Sequence, residues 1–320
     1  MTMYDLRSAL QDDPWQAMNE ALGKKTWRLR GPGWSALCVQ EKRRVGSYLY
    51  VPYGPVCASQ AALTEAVRAI AALARTQRAW WVRVEPRPPV LSPHDNLTSW
   101  RETMVRASFH RAAHDHQPAH TRLIDVSRPG EDILADATGS IRTIHRNHHK
   151  KGLAVRRSTH PDDVTILTSF LTRTTQEQGI RPRSHAYLMA AAQTLMPRGA
   201  ATLYTTWNND EPLCATLVYD SPTQRLFAHS AMPREHRQLR PNQPLVTTAL
   251  LDAHDRGTRT ADLFGIAPPD QPEHPWNGFT QFKRSFGGHD ITHLGTWEHA
   301  LVPAVTAVQE RRTRTARKKP

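Results

Sequence analysis

Apolar residues recur along the chain with two periods, and the alternation between them sketches a layered protein. From Ser59, a residue suited to cap a helix N-terminus, Leu63, Val67, Ile70, Ala71 and Ala74 fall on one face at helical spacing. Before it, Asp13-Pro14 followed by Trp15, Met18 and Leu22 predicts a short amphipathic helix stopped by Gly23. Trp27 to Val39 and Gly46 to Val51 have strand character, with RLRGPG read as a turn, and Trp80 to Val84 is a short strand closed by Glu85-Pro86. Arg87 to Asn96, rich in Pro and polar residues, reads as a loop.

The rest of the chain repeats the alternation on a larger scale. A strand over Thr121 to Val126 leads into one helix expected from about Glu131 to Lys151, ended by Gly152, with its cations near the C-terminus where the helix dipole favours them. Helices at about 162–178 and 184–196 precede strands over Ala201–Trp207, Leu213–Tyr219 and Arg225–Ala231, joined by the turn-forming Asn208-Asn209-Asp210 and Asp220-Ser221-Pro222. A helix at about 243–256, stopped by Gly257, and a strand over Thr260–Phe264 follow. Helices, an antiparallel run, a helix and another strand form the order of a GNAT-type acyltransferase domain, and the first third reads as a shorter copy of that plan.

In a coenzyme A acetyltransferase, a Gly-containing loop before the main helix offers backbone N–H groups to the pyrophosphate. Here the equivalent stretch, Pro233 to Asn242, contains no glycine, and Pro241 has no N–H. A backbone without Gly resists positive φ and close approach to a phosphate. An acyl donor other than coenzyme A is expected.

Charge points toward a polyanionic partner. Lys and Arg number 42 against 29 Asp and Glu, a formal net charge of +13, and six cations fall in the last ten residues, a tail expected to be disordered. Removing that tail leaves the excess positive. The three cysteines are far apart, which supports neither a disulfide framework nor a zinc site. The acidic N-terminus lacks signal-peptide character and no apolar run reaches membrane-spanning length, so a cytoplasmic protein is expected. His110, His114, His116 and His120, and His145, His148 and His149, invite a metal reading, but no carboxylate or Cys recurs with them at ligand spacing, so neither metal nor cofactor is expected.

Several short pieces, in a shared order, resemble the FemABX family of peptidyltransferases. They are Tyr50-Val-Pro-Tyr-Gly-Pro-Val56, Val82-Arg-Val-Glu-Pro86, His120-Thr-Arg-Leu-Ile-Asp125, Arg142 with Lys150-Lys-Gly152, Arg183 with Tyr187, Pro241-Asn242, Asp262-Leu-Phe-Gly-Ile266 and Phe282-Lys-Arg-Ser-Phe-Gly-Gly288. The resemblance implies an α/β (α+β) fold of two tandem GNAT-like acyltransferase subdomains, residues 1–118 completed by 295–320, then 119–294. It also implies transfer of an amino acid from aminoacyl-tRNA to an amine of a phosphate-bearing peptidoglycan precursor.

Residue by residue, the family motif maps its catalytic lysine and aromatic onto Lys283 and Phe282. Aminolysis of an ester passes through an oxyanion, which a fixed ammonium stabilises in a water-poor cleft. Glu85 matches an acidic position that could act as base or as a structural acid. Arg183 and Tyr187 match residues that contact the acceptor's diphosphate and sugar, and as i, i+4 neighbours they would share a helix face. Two positions depart from the family: Asn19 stands where a phosphate-binding Lys is common, and His229 replaces a residue that is often Tyr. A ring at His229 is expected to gain charge as pH falls toward ~6.5. Arg142, Arg146, Lys150 and Lys151 are candidates for tRNA phosphates. Alternative readings are a tRNA-dependent transferase acting on a small natural-product amine, and a non-catalytic RNA-binding protein on the same scaffold. Peripheral contact with an anionic membrane surface fits the basic tail.

Overall fold

The structure is a computed structural model that describes residues 8–44, 46–89, 97–178 and 183–302. The expectation for the basic tail, and most of that for the Pro-rich loop, fall outside them. Helix α1 (Asp13–Ala21) is followed by β1 (Thr26–Gly31), β2 (Trp34–Lys42), β3 (Ser47–Val51), β4 (Val56–Cys57), α2 (Gln60–Thr76), β5 (Trp81–Val84), α3 (Thr98–Arg106) and β6 (His110–Arg111). Then come β7 (His120–Asp125), α4 (Gly130–Asp136), α5 (Gly139–Asn147), β8 (Leu153–Ser158), α6 (Val164–Gln178) and α7 (His185–Leu195). The chain continues through β9 (Ala201–Asn208), β10 (Glu211–Asp220), β11 (Gln224–Ala231), α8 (Asn242–Asp255), β12 (Thr260–Gly265), α9 (Asn277–Arg284), β13 (His289–Thr292) and β14 (Trp297–Ala300).

Two compact units result, one from residues up to Ala119 together with those from Thr292 onward, the other His120–Ile291. Each holds one mixed sheet. In the first the order is β1-β2-β3-β5-β14-β6, with β4 beside β2; in the second it is β13-β7-β12-β11-β10-β9-β8. β3 pairs with β5 and β11 with β12 in parallel, each pair bridged by a helical crossover, α2 or α8. That shared β–α–β unit is the tandem repeat in physical form. C-terminal residues complete the first sheet, because β14 pairs with β5 and β6.

Ser59 caps α2 by accepting from the Ala62 amide at 3.1 Å. The helix buries Leu63, Val67, Ile70 and Ala74 against Cys38, Leu49 and Val82. Each such aliphatic side chain contributes about 1.5–3 kcal/mol. In the second unit Leu245, Ala249 and Ala253 of α8 pack on Tyr204, Val218, Phe227 and Ala261. Beneath them Arg225 is fully buried. Its guanidinium donates to Asp220 at 2.7 and 3.1 Å, to the Tyr204 hydroxyl at 2.8 Å and to the Ala249 carbonyl at 2.7 Å, and pairs with Asp252 at 3.0 Å.

Three expectations change. RLRGPG is mostly strand, since Arg28, Leu29 and Arg30 pair with Leu37, Ala36 and Ser35, and the reversal is confined to Pro32-Gly33. Helix α3 follows the Pro-rich loop without a strong apolar pattern to announce it, only Thr103 and Met104 being buried. The single helix expected over 131–151 is two helices and a 3-10 turn, His148–Lys151. At the break, Gly287, at φ +85°, lies so close to Asp136 that a Cβ would sit 3.0 Å from the Asp136 backbone. Thr138 then donates its N–H to Ser285 at 2.9 Å instead of continuing the helix.

Gly288 has φ +80°, and a Cβ there would come within 2.1 Å of the Leu123 carbonyl oxygen, whereas Gly257, at φ +74°, has open space around it. Gly257→Ala should therefore cost only the left-handed penalty, about 1–2 kcal/mol. Gly288→Ala should cost roughly 3 kcal/mol or more, since backbone must move as well. Urea unfolding of the two variants measures the difference.

Candidate active site

The second sheet opens between its two parallel strands. β11 and β12 are paired only over Gln224–Leu226 and Thr260–Asp262. Beyond that, β11 stays with β10 but carries an extra residue, because Leu217 faces His229 while Val218 faces Phe227. The bulge at Ala228 moves the later side chains to the opposite face, as bulges do. His229 is thereby set edge-on against Tyr219, ring centroids 5.8 Å apart. On the other side, β12 slips against β7 between Asp262 and Gly265, and Phe264 takes φ +69°. That conformation is uncommon for a bulky side chain. The Phe264 amide is held by Asp262 Oδ1 at 2.8 Å.

Lys283 reaches the end of this bulged strand. Its Nζ donates to the Gly265 carbonyl at 2.6 Å. Burial pushes its pKa down to about 8, against the pull of the Asp262 carboxylate. The ammonium is thus mainly protonated at neutral pH, and an ammonium has three N–H donors, of which Gly265 takes one. Phe282, its chain neighbour, packs edge-to-face on Phe286 at 5.0 Å and lies against the core. The two residues of the FK pair therefore divide the work, Phe282 anchoring the helix while Lys283 faces the bulge.

The loop before α8 forms a 3-10 turn, Arg234–Leu239, and then Arg240 adopts φ +53°, ψ +48°. Positive φ is thus reached without glycine, which corrects the sequence expectation on that point. The cradle is nonetheless poor in donors. Pro241 caps α8 and Pro244 occupies its first turn, so two N–H groups are missing where a phosphate would need them.

Arg183, Tyr187 and His229 come together. The Arg183 guanidinium lies 5.1 Å from the Tyr187 ring, and Ser184 caps α7 by accepting from the Tyr187 amide at 3.2 Å. Burial, assisted by the Arg183 charge, pushes the His229 pKa down to about 4. The ring is neutral at physiological pH, so the expected gain of charge near pH 6.5 does not occur.

Glu85 lies in the first unit and is 3% exposed. Its carboxylate accepts from the Tyr50 hydroxyl (2.8 Å), the Tyr53 amide (3.0 Å), the Gln117 amide (2.7 Å) and the Thr296 hydroxyl (3.0 Å). Burial raises its pKa, and with both oxygens engaged by four donors the carboxylate ties together the segments at 50–53, 117 and 296. Asn19 is buried on α1 and donates to the Trp15 carbonyl at 2.9 Å, so it faces the interior of the unit. Arg142 donates to the Ala135 carbonyl at 2.9 Å and to that of Ala137, satisfying the end of α4 rather than projecting outward. Arg146, Lys150 and Lys151 are exposed and make no ion pair among the described residues. Among those residues there is also no group of three His, Cys, Asp or Glu side chains able to hold a metal. No described helix is long and apolar enough to cross a membrane.

Sequence reasoning missed Asp262, Phe264 and the Gly265 carbonyl as parts of the site. All three stood in a quoted motif, but the bulge that joins them to Lys283 has no single-residue signature.

Comparison with known proteins agrees with the geometry. Residues 140–284 match the acetyltransferase (GNAT) domain family. The chain is similar in structure to FemX, with a TM-score of 0.80 and 15% identity over 96% of both chains. It is also similar to a tandem GNAT protein from the clavulanic acid biosynthesis pathway (TM-score 0.54, 16% identity, 93% of this chain and 90% of that one). A third likeness is to the C-terminal DUF2156 domain of an Agrobacterium fabrum protein named as a lysylphosphatidylglycerol synthetase (TM-score 0.57, 10% identity, 95% and 92%). No curated protein sequence matches the chain. The fold is that of a tandem GNAT acyltransferase.

Two outcomes follow from the electrostatics. Folded Lys283 loses its proton near pH 8 and an unfolded lysine near 10.5, so between those values the unfolded state binds more protons. Wild-type stability relative to Lys283→Met should rise across that window by up to about 1.4 kcal/mol per pH unit; urea unfolding at about pH 7 and about pH 9.5 reads it, and a difference that ignores pH would show an ordinary lysine. Glu85→Gln turns one acceptor into a donor facing donors, and should destabilise the fold by roughly 2–3 kcal/mol while leaving the rate constant of the folded protein intact.

Proposed function

We propose that the protein is an aminoacyltransferase that moves an amino acid from aminoacyl-tRNA to an amine of a phosphate-bearing peptidoglycan precursor, forming an amide bond. The observation that carries this reading is Lys283, a desolvated ammonium fixed at the Gly265 carbonyl where the sheet opens. Three features support it: the resemblance to FemABX proteins, the likeness in fold to FemX, and a pre-α8 turn in which prolines replace the donors that a coenzyme A pyrophosphate would use.

In the reaction the acceptor nitrogen attacks the ester carbonyl carbon, and the carbonyl electrons move onto oxygen. Lys283 supplies N–H donors to that oxyanion. Collapse expels the ribose oxygen of the tRNA, which takes up the proton that the amine gives away. Because the ammonium acts on charge present only in the transition state, it raises turnover rather than ground-state affinity. Arg183, stacked on Tyr187, is the cation offered to the acceptor phosphate, with His229 as a neutral hydrogen-bonding partner beside it. Arg146, Lys150 and Lys151 are the candidates for tRNA phosphates. A second reading, a small natural-product amine as acceptor, is favoured by Asn19, which stands where the family often has a phosphate-binding Lys.

Charged tRNA should support product formation that ribonuclease abolishes, and Lys283→Ala should slow single-turnover transfer about a hundredfold while folding normally. Full activity with acetyl coenzyme A and no RNA would sink the proposal. With Arg183→Ala, KM for the acceptor should rise, and by the same factor between about pH 5 and about pH 8, because His229 does not titrate there. If a dephosphorylated acceptor binds as well as its phosphorylated form, the natural-product reading takes its place.

A further inference from the structure

Helix α9 carries Lys283, and the rotation of that helix about its own axis decides where the lysine points. Consecutive helical residues project about 100° apart, so Phe282, Lys283 and Arg284 fan out in three directions. Phe282 turns to the core, Lys283 to the Gly265 carbonyl, and Arg284 to Asp290 on β13. A helix of eight residues is marginal without tertiary contacts. Each of the three contacts therefore constrains the other two.

The contact at Asp290 joins three elements. One carboxylate oxygen accepts from Nε and an Nη of Arg284, at 3.1 and 2.6 Å. The other accepts from Arg122 on β7 at 2.7 Å. Arg122 also donates through Nε to the Gly287 carbonyl at 2.8 Å, just past the end of α9. Desolvation opposes the Asp290 charge, but hydrogen bonds and charge from Arg284 and Arg122 outweigh it and hold the carboxyl below its usual range. Among the described residues neither arginine has another ion-pair partner, so without Asp290 two guanidiniums would meet with no anion between them. Stability is a poor motive for such a bridge. The side chains of Asp290 and Arg284 are 33% and 40% exposed, and ion pairs in contact with water contribute little to folding. What the bridge controls is geometry, and a catalytic group misplaced by about 1 Å loses on the order of a hundredfold in rate.

We propose that Asp290 is a positioning residue for the transfer reaction: by bridging Arg284 to Arg122 it fixes the rotation of α9 and so holds the Lys283 ammonium at the strand opening. The inference rests on the aminoacyltransferase reading and adds to it a residue that acts only through another. It also gives the third member of the Phe282-Lys283-Arg284 run a task, since Arg284 stops the rotation that Phe282 alone leaves open.

Asp290→Asn keeps the shape of the side chain but offers a donor where one guanidinium needs an acceptor. In single-turnover transfer from charged tRNA by the full chain it should lower the rate constant about tenfold, with KM for the acceptor unchanged, and Asp290→Glu should recover most of the loss. In a Lys283→Met background the same change should add nothing, because there is no ammonium left to position. A second readout needs no substrate. NMR titration of isotope-labelled lysine, with Lys283→Met for assignment, should find Lys283 at about 8 in the wild type and moved toward 10.5 in Asp290→Asn, as the ammonium leaves the Gly265 carbonyl for water. The carboxylate that acts on Lys283, Asp262 of β12, is present in both proteins, and losing the Asp290 charge by itself would push the lysine lower, so a rise reports displacement. A rate lost equally with and without Lys283, or a titration that stays at about 8 or falls, would overturn the positioning role. If the wild type transfers nothing from charged tRNA while the titration still rises in Asp290→Asn, the aminoacyl-tRNA reading fails and the positioning of Lys283 stands.

Discussion

The site depends on a failure of pairing. Two parallel strands, β11 and β12, share only three register positions, and each then leaves the common plane by its own bulge. A continuous ladder would have consumed the Gly265 carbonyl and pointed His229 into the α8 face. By releasing one strand end on each side, the sheet provides a carbonyl for an ammonium and a second polar face. The strained Phe264 and the extra residue at Ala228 are the local costs of that opening, as expected where function competes with regular structure.

Lys283 illustrates the same competition in electrostatic form. Desolvation penalises the ammonium, and the single carbonyl and one acidic neighbour do not restore its solution pKa. A group placed for stability alone would be solvated or fully paired. Glu85 is the contrast: a carboxylate more deeply hidden, but with every lone-pair direction answered by a donor. Satisfaction distinguishes a residue that holds loops from one that keeps donors unspent.

What the sequence made legible follows from the range of the forces involved. The α2 face, the three strands from Ala201 to Ala231 and the caps at Gly152 and Gly257 are local patterns, and they stand where periodicity and turn chemistry put them. The FK pair was legible as a motif. The break between α4 and α5 was not, because the residues that meet it, Gly287 and Ser285, lie about 150 residues away in sequence. Similarly, nothing near Arg142 announces that its guanidinium is spent on the carbonyls of the preceding helix, and a histidine's charge state at 229 depends on strands and helices it meets only in the fold.

The buried guanidinium of Arg225 has a mechanical meaning for this arrangement. It grips the hairpin end at Asp220, the hydroxyl of Tyr204 and the middle of α8 at once, so the crossover helix is bolted to the sheet at its centre. Burial works against the charge, but Asp220, Tyr204 and Asp252 together outweigh it and raise the pKa, so the bolt keeps its charge throughout the range in which Lys283 gives up its own. The guanidinium of the frame therefore stays charged while the ammonium at the opening changes its charge, and a change of pH alters the one without removing the other.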